Sequence, residues 1–205
     1  MANPEHIAIL LEGVEAWNRW RKKHGSILPD LSGADLSHLD LRGIDLEHAD
    51  LVETNFTRAN LAGARIYQGN LARSLFVEAN LNGARLTGCN LRRANMTRAN
   101  LVHAKLSDAY LNRAILVMAN CSMADLFLAE LSGADLSEAT LYQANLECAQ
   151  LDGAKLFLCD LGESNLSETD LRDSLLVGAV FDGANLYKTK MPAGHAPLAH
   201  EDIPR

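Results

Sequence analysis

The sequence predicts an all-β solenoid, a chain wound into a coil of short straight sides, and three observations carry that expectation. Every fifth residue from Leu31 to Met191 is apolar: 33 consecutive positions without a polar side chain, 26 of them Leu. A second column two residues earlier is small, with Ala at 21 of the 31 positions from Ala34 to Ala184. Most of its other members are short too: Thr54, Gly69, Ser74, Cys89, Cys159, Ser164, Thr169 and Ser174. The position between the columns is often Asp or Asn, so Ala34-Asp35-Leu36-Ser37-His38 is a representative unit. A repeat this long has to be explained before any local feature.

Period five suits neither common element. Five helical steps rotate a side chain by about 140°, which would wind the Leu series around a helix. In a strand, an odd period sends successive Leu to opposite faces. Every Leu stays inside only if the backbone bends once per repeat. The small residue then sits where the turning chain leaves room for little more than a methyl, and the outward positions are free to vary.

Ahead of the repeats, residues 3–24 are expected to form one capping helix. Asn3 suits the N-cap, Pro4 the first turn and Glu5 the positive end of the helix dipole. Ile7, Leu10, Leu11, Val14 and Trp17 recur at helical spacing as one apolar stripe. Arg21, Lys22 and Lys23 suit the last turn, and Gly25 is a plausible stop. An open solenoid end exposes core and unpaired backbone, so the stripe is assigned to that end rather than to a membrane surface. Leu39 and Ile44, oversized for the small column, are expected to fill space beneath the cap. Residues 192–205 hold three prolines and no periodic pattern, and are expected to be irregular. The expected division is therefore 1–29 capping helix and connector, 30–191 shaft, and 192–205 tail. With no evident cap on the last coil, either the tail or a second molecule must cover it, which makes a homodimer one candidate assembly.

With its unit A(D/N)LXX running over residues 30–191, the chain resembles the pentapeptide repeat family. The resemblance implies a right-handed, quadrilateral parallel β-helix with four repeats per coil and about eight coils. At strand spacing the shaft is about 40 Å long. Residues twenty apart then stack, which turns the sequence into columns. Asn60, Asn80, Asn100 and Asn120 form one, expected to be an amide ladder.

Charge is banded along the shaft. Residues 30–53 carry seven acids against Arg42, residues 54–113 nine bases against Glu78 and Asp108, and residues 114–183 twelve acids against Lys155 and Arg172. The basic band contains two columns, Arg65, Arg85 and Lys105, and Arg73, Arg93 and Arg113. Like charges one strand spacing apart repel. The belt is either a solvated band relieved by screening or a docking surface for an acidic partner or phosphate. An outward apolar column is the second candidate site: Leu75, Val77, Ile115, Val117, Met118, Phe157, Leu158, Leu175 and Val177, with Phe127 and Leu128 on another face. β-branched residues suit strands for their own sake. Phe157-Leu158 and Val117-Met118 point instead to protein binding or self-association.

No catalytic, cofactor-binding or metal-ligating constellation is found. The histidines are scattered, the acids recur with the repeat, and no phosphate loop, Gly-x-Ser-x-Gly elbow or His-Glu-x-x-His motif occurs. Cys89, Cys121 and Cys159 fall on inward positions as small fillers, and Cys148 points outward. A net charge of −7 disfavours direct nucleic-acid binding. No apolar run is long enough to span a membrane, and no signal peptide is visible, so a cytoplasmic setting is expected. The expected role is a non-catalytic protein-interaction scaffold whose partner the sequence does not identify. The resemblance adds an alternative, a modulator of DNA gyrase or topoisomerase that imitates the shape and negative charge of DNA. The basic belt interrupts the acidic surface such imitation needs.

Overall fold

Parallel bridges join each residue of the Asp/Asn column to the residue twenty positions on, in an unbroken series from Asp30–Asp50 to Asp170–Lys190. Every coil therefore takes twenty residues and has four bridge positions, one per side. The computed structural model describes residues 1–194, so most of the expected tail lies outside the described residues. Coils are counted from Asp30: coil 1 is residues 30–49 and coil 8 is residues 170–189. In each coil the first face begins at the position of Asp30, the second at Asp35, the third at Asp40 and the fourth at Asp45.

The backbone hydrogen bonds explain the motif. In a typical repeat the Leu N–H donates to a carbonyl of the next coil (Leu31 to Asp50 O, 2.8 Å), as does the N–H two residues later (Gly33 to Val52 O, 2.8 Å). The small residue closes a turn onto its own repeat (Ala34 N–H to Leu31 O, 3.0 Å), and the bridge residue donates to the coil before (Asn55 to Ala34 O, 2.9 Å). One N–H of the five is left over. The Asp or Asn side chain takes it, as where Ser32 N–H donates to Asp30 Oδ1 at 3.0 Å and Asn82 N–H to Asn80 Oδ1 at 3.1 Å. Backbone donors must be paired, and Asx side chains pair this one locally.

The turn also sets a rule for the outward residues. Its third position is left-handed in every repeat from Gly33 to Lys188, and 23 of these residues are not glycine. A turn whose third residue has positive φ normally calls for Gly or Asn. β-branched side chains tolerate that conformation worst, and none of these corner positions holds Val, Ile or Thr. The outward positions are thus not all free to vary, as the repeat alone suggested.

Inside, the Leu column and the Ala column are buried along the shaft, and Phe56 stacks on Phe76 with ring centroids 5.0 Å apart. Polar members of the small column are satisfied locally: Thr54 Oγ1 donates to Leu31 O at 2.8 Å and Ser74 Oγ to Leu71 O at 2.7 Å. Gly69 is the exception in size. A Cβ there would lie 3.0 Å from Ile66 Cγ2 and from Ile66 O, because the branched Ile66 already fills the methyl's place. The amide ladder forms from Asn60 through Asn80 to Asn100, with contacts of 3.0 and 3.2 Å. Asn120 keeps the backbone bridge but turns its Oδ1 to Ser122.

The single expected helix is two, α1 (Pro4–Leu11) and α2 (Val14–Lys23). Gly13, at φ 108°, breaks them apart and redirects the chain. The expected stripe is split accordingly: Leu10 and Trp17 are buried, while Leu11 is exposed. Asn3 caps α1 as expected, accepting from Glu5 N–H at 2.9 Å. The helices meet the edge of coil 1 through polar contacts. Trp17 Nε1 donates to Asp45 O at 2.6 Å, Asp45 N–H donates to Asn18 Oδ1 at 2.8 Å, and Arg21 reaches Ile27 O and Glu47 O at 2.7 and 2.9 Å. Asp30 N–H donates to His6 Nδ1 at 3.0 Å. Ile44 is fully buried and Leu39 half-buried against the core.

Candidate protein-binding surfaces

The expected apolar column lies on the second face but is not continuous. Its members occupy alternate coils: Leu75 and Val77 on coil 3, Ile115, Val117 and Met118 on coil 5, and Phe157 and Leu158 on coil 7. Coil 4 interposes Asn95, Thr97 and Arg98, and coil 6 interposes Asp135, Ser137 and Glu138. Two coils of apolar side chains adjoin only at the C-terminal end, where Leu175 and Val177 of coil 8 follow Phe157 and Leu158 of coil 7. These four are 44 to 68% exposed, and Val180 continues them around the corner at 42%. Gly178 makes the cluster tight. A Cβ there would lie 2.6 Å from Leu158 Cδ2, so the Leu158 side chain lies flat over the glycine.

The basic columns stack as expected, through the bridges Arg65–Arg85 and Arg85–Lys105 on the fourth face. Arg73, Arg93 and Arg113 hold left-handed corners at the end of the first face. The margins of the belt are tied to the acidic bands. Arg65 pairs with Asp45 and Glu47 (2.7 and 3.1 Å), Arg73 with Glu53 (3.1 Å), Arg92 with Glu130 (3.5 Å) and Lys105 with Asp125 (3.8 Å). Among the described residues Arg85, Arg93 and Arg113 have no ion-pair partner. Exposed pairs of this kind are worth little each. The belt is also not a ring, because the third face carries no Asp, Glu, Lys or Arg on coils 2 to 6.

The fold itself marks these residues out. Leu75, Ile115, Leu175, Arg65, Arg85 and Lys105 stand where the repeat prefers Asp or Asn, and none of them supplies the side-chain oxygen that pairs the spare N–H. Met118, Leu158, Arg73, Arg93 and Arg113 hold corners where Gly is cheaper. Eleven of the fifteen candidate residues thus depart from what the coil alone favours. That signal was available in the sequence as departures from the consensus, but its meaning needed the turn geometry.

Cys89, Cys121 and Cys159 are buried and Cys148 is half-buried, all as free thiols. Burial pushes the Cys89 and Cys121 thiols up to about 12 and raises Cys159 further, so these three are inert fillers. Among the described residues no three metal-ligating side chains cluster, and no helix is long and apolar enough to cross a membrane. An open cleft lined by Glu12, Gly13, Val14, Glu15, Asp40 and Arg42 lies at the helix–coil junction, far along the shaft from the apolar cluster.

The family model described as pentapeptide repeats matches the chain in eight copies spanning residues 30–191. Among curated proteins none matches. The chain is 32% identical to HetL, a pentapeptide repeat protein involved in heterocyst differentiation regulation in the cyanobacterium Nostoc sp. strain PCC 7120, over 82% of this chain and 87% of HetL, with a TM-score of 0.49. Two trypsin-treated variant structures of QnrB1, a plasmid-mediated fluoroquinolone resistance protein, are also similar. One is 20% identical over 75% of this chain and 84% of its own, with a TM-score of 0.63. The other is 18% identical over 73% and 85%, with a TM-score of 0.53.

Proposed function

Because the chain belongs to the pentapeptide repeat family, we propose that it is a non-catalytic protein-binding scaffold that docks its partner on the C-terminal apolar corner. The supporting observation is the contiguous exposed cluster of Phe157, Leu158, Leu175 and Val177 on two adjoining coils. An apolar cluster on a surface otherwise built of polar rungs marks an interaction site, and a rigid β-helix presents it without an ordering cost. The right-handed winding, the capping role of α1 and α2, and the division at residues 29 and 191 belong to the same proposal. A pull-down from the native host tests it. The partner is expected to be lost with Phe157→Asp/Val177→Asp and kept with Arg85→Glu/Arg93→Glu. The reverse pattern would transfer the site to the basic belt.

A second reading, a DNA-mimicking modulator of gyrase, is favoured by the twelve acids against two bases in residues 114–183. It is opposed by the belt, where Arg85, Arg93 and Arg113 lack ion-pair partners among the described residues. A supercoiling assay with purified topoisomerase decides it: no effect at micromolar protein removes this reading.

A further inference from the structure

From coil 3 to coil 8 the first face divides into two halves of opposite charge. On coils 3 to 5 its outward residues are Asn70, Ala72, Arg73, Asn90, Arg92, Arg93, Tyr110, Asn112 and Arg113, with four cations and no acid. On coils 6 to 8 they include Glu130, Asp152, Asp170 and Asp173, with Arg172 the one cation. Arg172 is held by Asp170 in a bidentate pair.

We propose that this face is self-complementary, and that two copies of the chain pair side by side and antiparallel through it, about a two-fold axis level with the boundary between coils 5 and 6. A two-fold axis lying in the contact plane, perpendicular to the shaft, keeps each column opposite the same column and reverses the order of coils. Coil 3 then meets the partner's coil 8, coil 4 its coil 7 and coil 5 its coil 6. In register, Arg73 faces an Asp173, Arg92 faces an Asp152 and the long Arg93 lies over a Gly153, where no side chain competes for the space. Tyr110, already under the Arg92 guanidinium at 4.3 Å, faces a Glu130. The register continues one coil further, where Asp50 meets a Lys190. No like-charged pair falls opposite in any of these positions.

Isologous contact requires a surface to match itself under one rotation, which a randomly banded surface does not do. Charge complementarity of this kind fixes register and partner more than it adds affinity. The face is one side of a prism, about 30 Å long over six coils. Such a narrow contact belongs to the weak, salt-sensitive class. The dimer is independent of the apolar corner, which lies on the second face.

Sedimentation equilibrium tests it on the full chain from about 5 to 200 µM, at 50 mM and 500 mM salt. The expected result is a monomer–dimer equilibrium at low salt with a dissociation constant of tens of micromolar, weakened at least tenfold at high salt. Arg92→Asp alone and Asp152→Arg alone are each expected to be monomeric, because each places like charges opposite twice. Their equimolar mixture, and the double variant, are expected to regain the dimer. Circular dichroism of each variant checks that the coil is intact. A chain that stays monomeric at 200 µM in low salt would overturn the proposal. So would a dimer that survives both single reversals, or a mixture that fails to associate.

Discussion

The two ends of the shaft treat the same problem differently. At the N-terminal end the edge groups that a preceding coil would pair are taken up by the helical segment. Asp30 finds Asn3 N–H and His6, Asp45 finds Trp17 and Asn18, and Glu47 O finds Arg21. The first Leu positions beneath, Leu31 and Leu36, are as buried as those in mid-shaft. At the C-terminal end Leu171 N–H still reaches Lys190 O, but among the described residues no coil follows for Leu176, Phe181 and Leu186. Leu176 remains buried, while Phe181 and Leu186 are only half-buried, and the exposed apolar corner lies beside them. In a repeat array each coil is stabilised by its neighbours, so a terminal coil is as stable as whatever covers it.

The largest test of that contrast is Trp17→Ala. Trp17 is fully buried and its indole N–H satisfies Asp45 O. Its loss is expected to cost about 3–5 kcal/mol in urea-induced unfolding, through a cavity and an orphaned carbonyl together. Phe181→Ala, at the other end, is expected to cost about half as much because that ring is only partly withdrawn from water. Equal losses would mean that the C-terminal coil is as firmly covered as the first.

A smaller test asks whether the coils differ in themselves or only in their cover. His38 in coil 1 and Asp173 in coil 8 hold left-handed corners at φ 60° and 59°. A β-branched residue there is expected to cost about 1–2 kcal/mol, the strain of a left-handed backbone with a crowded Cβ. His38→Val and Asp173→Val should lower stability by the same amount in parallel denaturation curves. An unequal pair would place the difference between the ends in the backbone of the coil rather than in its covering.

How much of this was open to the sequence follows from the kind of signal each feature leaves. The inward Leu and Ala columns were legible because burial acts on every repeat in the same way, whereas the twenty-residue stacking followed only from the family resemblance, since a five-residue period does not count the sides of a coil. The helix break was not, since Gly13 sits inside an apolar stripe that continues in number but not in space, and a lone glycine does not distinguish a kink from a cost. The corner rule was legible only as an absence of Val, Ile and Thr, which has no meaning until the positive φ is known. The apolar column is less than its sequence pattern suggests. Its residues do share a face, but coils 4 and 6 place Arg98, Asp135 and Glu138 between them, and those polar rungs divide it.

The smallest expected effect separates the ends by what holds their carboxylates. The Arg172 side chain, donating to Asp170, holds that carboxyl down at about 2, whereas Asp30 in coil 1 is lowered chiefly by the backbone N–H and hydroxyl of Ser32. A carboxyl lowered in the folded state adds stability at any pH above its ordinary value of 3.8, and that contribution fades as pH falls through the folded value. Between pH 4 and pH 2 the protein is therefore expected to lose stability at both ends. Arg172→Met should remove the charge-assisted part at coil 8 alone, so that its melting temperature is slightly lower at neutral pH, falls less between pH 4 and pH 2, and converges on the wild-type value at the acid end. Ser32→Ala should do the same at coil 1 by removing one of two donors, with a smaller shift because the backbone N–H remains. Melting curves at half-unit steps from pH 7 to pH 2 read both. An Arg172→Met curve that coincides with the wild type from pH 7 down would mean that solvent already screens the pair, and that the last coil draws its stability from apolar burial at Leu171 and Leu176.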